Sequence, residues 1–71
     1  MNDALKEALS DEIDFVRNWL AYPDYEPAKF ETLAEAREQI DNMKLTDDLP
    51  DGLWDPEITL LVWNYCVEHC A

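Results

Sequence analysis

Cys66, His69 and Cys70 stand at i, i+3 and i+4 near the end of the chain. On a helix that spacing brings side chains over one another. Thiolate and imidazole are zinc ligands, and a closed structural site takes four of them. His69 is the only histidine and these are the only two cysteines. A fourth ligand would have to be a carboxylate or come from another molecule, and the paired Cys/His spacings of zinc modules are missing. No metal and no cofactor are expected. Cys66 reads as a small core hydrophobe, and His69 suits a helix C-terminus, where positive charge is favoured. As a nucleophile and base, the same residues lack an orienting group and an oxyanion site. There is no Gly-rich phosphate loop either. An enzyme is not expected.

Carboxylates are the other chemistry on offer. Seventeen acids face five bases, a formal net charge of −12 and a pI near 4.1. They fall in rows. Asp3, Glu7, Asp11 and Asp14 share one side of the first segment, and Glu31, Glu35 and Glu38 share one side of the second. Asp47, Asp48, Asp51 and Asp55 crowd a later connector that carries no base. Such a surface repels nucleic acid and anionic membrane and attracts basic protein surfaces quickly at low salt. Amphipathic helices also expose acids merely to stay solvated, so the rows alone are a weak signal.

The chain that must hold these residues is short but rich in core material. Of its 71 residues, 48% are hydrophobic, with three Trp, three Tyr and two Phe. That argues for a folded core inside a charged shell rather than for disorder. One Gly and four Pro are too few turn residues for a sandwich or barrel. A single acidic helical domain over residues 1–71 is expected. The N-terminus lacks the basic and apolar regions of a signal peptide, and no window approaches a membrane span, so a cytoplasmic protein is expected.

The expected fold is all-α, three or four short helices around a C-terminal helix over about 56–70. Asp55 can cap that helix and Pro56 fits its first turn. Ile58, Leu61, Val62, Tyr65 and Cys66 form one apolar stripe, and Leu60, Trp63 and Val67 form a second on nearly the opposite side. A helix apolar on both sides must be covered on both. Upstream, Leu5, Leu9, Ile13, Val16 and Leu20 mark a helix, or two meeting at Ser10, over 3–22. A break with Ser10 as N-cap would place Asp11 and Glu12 in a first turn and relieve Glu12 of an apolar position. Tyr22 to Pro27 is an extended connector between prolines. Thr32 and Glu35 form a capping box that opens a helix over about 33–43, with Leu33, Ala36, Ile40 and Met43 on its inner face. Leu45 to Trp54 is a connector with turn signals at Thr46, Pro50 and Asp51-Gly52.

The function these features favour is an acidic inhibitor or antagonist of a basic protein, a nucleic-acid-binding enzyme or complex. By analogy of charge and size, phage and plasmid antagonists of restriction or CRISPR enzymes work as nucleic-acid mimics. The acid rows would set on-rate and salt dependence, and Tyr22, Tyr25 and Trp54 would anchor the contact. The alternative is an assembly module, a homodimer burying Leu60, Trp63 and Val67. Neither reading involves direct nucleic-acid or membrane binding.

Overall fold

Asp55 opens the C-terminal helix in two ways. Its backbone carbonyl accepts the Thr59 N–H at 2.9 Å, and its side-chain Oδ1 accepts the Glu57 N–H at 2.9 Å. Pro56 then takes the first helical position, where no N–H is needed. In the computed structural model, residues 3–21, 28–45 and 48–69 are described, without the side chains of residues 3 and 5. The elements are α1 (Asp3–Ala8), α2 (Ser10–Leu20), α3 (Leu33–Met43), a 3-10 turn (Asp51–Trp54) and α4 (Pro56–His69). The fold is all-α, and α4 packs against α3, α2 and the 3-10 turn. The radius of gyration is 11.0 Å, and about 11 Å is expected for a collapsed chain of this length.

The buried wall of α4 consists of Thr59, Val62, Trp63 and Cys66. At about 100° per residue, these positions are centred midway between the two apolar stripes. Each stripe is therefore covered along one edge: Ile58, Tyr65, Leu60 and Val67 are all half-buried. Against the wall lie Ile13 and Val16 of α2, Ile40 and Met43 of α3, and Leu49 and Leu53 from the connector. Thr59 is fully buried, and its hydroxyl donates to the Leu53 carbonyl at 2.6 Å. That bond fixes the 3-10 turn to α4.

The break in the first segment lies where expected, but Ser10 does not cap it. Leu9 is the N-cap, at φ −110° and ψ 22°, and makes no side-chain cap bond. Its carbonyl accepts the Ile13 N–H at 2.8 Å. Ser10 is already helical, whereas a capping side chain needs non-helical backbone beneath it. Asp11 and Glu12 do occupy the first turn. The box at α3 is also modified. Thr32 accepts the Glu35 N–H at 3.3 Å, while the Glu35 carboxylate accepts from Glu31 at 3.1 Å, one residue before the cap. Leu33 stays 43% exposed, and Gln39 is buried in its place beside Ala36, Ile40 and Met43.

Glu12, the polar residue among apolar positions, is half-buried over the 3-10 turn. A Cβ built on Gly52 would meet its Oε1 at 2.8 Å and its Cγ and Cδ at 3.1 Å. Gly52 has no positive φ, so Ala there should gain about 0.4–1 kcal/mol from the unfolded state. The clash with Glu12 should cancel that gain. In a Glu12→Ala background Gly52→Ala should stabilise the protein, with a coupling of about 0.5–1 kcal/mol in urea melts. Strictly additive effects would show that Glu12 is not held over Gly52.

Candidate interaction surface

The structure sets the acid rows on α1 and α2, on α3 with the residues just before it, and on the connector with the 3-10 turn. Glu7 lies on α1 and Asp11 and Asp14 on α2; all three are exposed. Asp3 opens α1, but its side chain lies outside the described residues. Glu31, Glu35 and Glu38 are exposed along the start and outer side of α3. Asp48, Asp51 and Asp55 are exposed along the connector and the 3-10 turn, while Asp47 lies outside the described residues. Among the described residues, none of these carboxylates is in an ion pair. The pairs that do form are Lys29 with Glu68 and Lys44 with Asp41 at 3.0 Å, and the His69 Nε2 lies 3.6 Å from Glu68. Two of the five bases are thus spent on Asp41 and Glu68, which belong to none of the rows.

Glu35 has a second duty, since it caps Glu31. The cap engages a single oxygen, Oε2, of this side chain. Glu35, Glu38 and Asn42 of α3 face Lys29 and Phe30 across a shallow groove.

A strap made of residues 28–30 positions this side of the molecule. The Trp63 indole N–H donates to the Ala28 carbonyl at 2.9 Å. The Asn64 side chain accepts the Phe30 N–H at 2.7 Å and donates to the Phe30 carbonyl at 3.0 Å. The Phe30 ring stacks on Trp63, with centroids 4.7 Å apart and an interplanar angle of 11°. Lys29 pairs with Glu68, and hydrogen bonding to that ammonium, followed by its charge, lowers the Glu68 pKa. Three neighbouring groups of α4 therefore hold the chain just before α3. Asn64 and Glu68 carry no apolar signal, and a search for apolar periodicity passes over both.

The aromatic anchors divide. Trp54 is 52% exposed, as an anchor requires, whereas Tyr22 and Tyr25 lie outside the described residues. The residues of the dimer face divide as well. Trp63 is fully buried in the protein's own core, where Phe30 and the strap occupy the side that a second copy would need. Leu60 and Val67 are half-buried. The large hydrophobic that α4 does expose is Leu61, at 42%. It lies on the first stripe, because the neighbours approach from the other flank.

The two described ligand-type residues, Cys66 and His69, lie in different surroundings. Cys66 is buried, with its Sγ 3.8 Å from the Ile13 carbonyl oxygen. His69 is exposed and rests on the Tyr65 ring, centroids 4.8 Å apart. Cys70 lies outside the described residues. Among the described residues, no three His, Cys, Asp or Glu side chains are close enough together to hold a metal. No helix among them is long and apolar enough to cross a membrane.

The chain matches no protein-family model, no curated protein and no solved structure.

Proposed function

We propose that this protein is an acidic antagonist that occupies a basic, nucleic-acid-binding surface of another protein. One observation carries the reading: exposed carboxylates on α1–α2, α3 and the connector stand without ion pairs among the described residues. Duplex DNA offers one charge per about 1.7 Å of axis to the Lys and Arg that read it. Carboxylate rows on a rigid helical frame offer the same groups a competing set of charges. The frame matters, because pre-ordered acids bind without the ordering cost that a flexible acidic tail would meet.

The test is capture followed by competition. The immobilised protein is exposed to lysate and eluted with rising salt beside a charge-matched acidic peptide. The expected product is a nucleic-acid-binding protein absent from the peptide control, which the free protein then displaces from its nucleic acid. The α3 row is tested with Glu31→Gln, Glu35→Gln and Glu38→Gln combined. Gln is the appropriate replacement because its amide oxygen can keep the cap on the Glu31 N–H, which Lys could not. The variant should melt like the parent, surface changes being worth about 0.5 kcal/mol or less. It should bind its target about tenfold more weakly, with a flatter salt dependence. Equal displacement by parent and variant would remove this row from the interface. Capture of nothing beyond the control would end the antagonist reading.

A further inference from the structure

We propose that the outer face of α4 docks an amphipathic helix of the basic partner, with Leu61 as its central apolar contact. This deepens the antagonist reading and rests on it. The face carries Ile58, Leu60, Leu61 and Tyr65 together with the polar Asn64 and Glu68, and is bounded by Glu57 at one end and His69 at the other. Leu61 is 42% exposed while the three apolar neighbours are half-buried, so the face has an apolar floor with one protruding side chain. Glu57, Leu61 and Glu68 stand at i, i+4 and i+11, one narrow row along the helix. The row alternates acid, Leu and acid. Lys29 is paired with Glu68, which leaves Glu57 as the unpaired carboxylate of this row.

Charge selects the occupant. A second copy would bring its own −12 against the same face, and like fields oppose such a contact. Size makes this face one part of a larger interface. The face runs about 18 Å, from Glu57 to His69 at ~1.5 Å per residue, and is about 10 Å wide. That is on the order of 200 Å², where a stable interface takes about 800 Å² from each partner. A second copy would need further contacts between two strongly acidic bodies. A helix with an apolar stripe and Lys or Arg on its flanks matches the groove-docking mode. It meets Leu61 with its stripe and Glu57 with a basic flank.

The probe is a synthetic 18-residue helix of Leu and Lys with Leu at i, i+3, i+4 and i+7. It is compared with a scrambled peptide of the same composition and no apolar stripe. Binding is read by calorimetry to the full chain, and the bound face by backbone NMR shifts. The amphipathic peptide should bind about tenfold more tightly than the scrambled one, weaken with salt, and shift the amides of α4. Leu61→Gln keeps a good helix former at an exposed position; it should melt like the parent and lose the preference between peptides. Leu61→Lys should weaken the amphipathic peptide further. If both peptides bind the parent equally, or the shifts lie away from α4, the docking face is refuted while the acidic surface stands. If neither peptide binds, the antagonist reading falls with it. Sedimentation that shows a dimer strengthened by salt and lost in Leu61→Gln would make a second copy the occupant and overturn the proposal.

Discussion

Trp63→Ala should leave the protein without a cooperative unfolding transition at ambient temperature. Trp63 is the largest fully buried side chain, and truncating such a residue costs about 3–5 kcal/mol. Domains hold about 0.05–0.15 kcal/mol per residue, so a chain of 71 residues holds about 4–11 kcal/mol in total. The substitution also removes the donor to the Ala28 carbonyl and the surface on which Phe30 stacks. Two attachments of the strap fail together with the core. Trp63→Phe keeps a ring for Phe30 and should retain a cooperative, less stable transition. Urea melts followed by far-UV circular dichroism decide the matter. An Ala variant within about 1 kcal/mol of the parent, far short of the truncation cost, would mean that the core is not built around this residue.

Asn64→Ala should cost about 2–4 kcal/mol, an unusual figure for a polar helix residue. The Asn64 side chain meets the Phe30 N–H and carbonyl as a neighbouring strand would. Its loss leaves two part-buried backbone groups without that partner, each worth about 1–3 kcal/mol. Asn64→Asp separates the two bonds. The carboxylate can still accept the Phe30 N–H, but its second oxygen then faces the Phe30 carbonyl, so Asp should rescue little. The Phe30 amide should exchange with solvent much faster in both variants, while amides of α2 slow down or speed up only with global stability. Unchanged protection at Phe30 would show that the Asn64 side chain does not hold the strap.

These two residues also mark how far a reading of the chain could go. The assembly alternative places Trp63 in a contact with a second copy, because Leu60, Trp63 and Val67 lie opposite the first stripe. Periodicity gives the angle of each residue around α4, but it does not say from which angle the neighbours approach. They approach between the stripes, and so Thr59, which belongs to neither, is fully buried while Leu61 is left outside. Asn64 was invisible for a related reason. Its partners are backbone groups 34 residues away, and no local pattern encodes a bond to a backbone that distant. Glu12 was legible as a misfit, but what lies against it, the Cβ-free surface of Gly52, comes from another part of the chain.

What the sequence determined by itself is everything governed by neighbours a turn or two apart. The Asp55-Pro56 start of α4, the Thr32 cap of α3, the break before α2, the all-α class and the exposure of the acid rows follow from backbone capping, helical period and the cost of burying charge. Packing between distant segments sets which flank of α4 is inside and clasps a three-residue strap with Trp63 and Asn64. Each of those depends on contacts between segments far apart in sequence, whose geometry is fixed only when the helices pack.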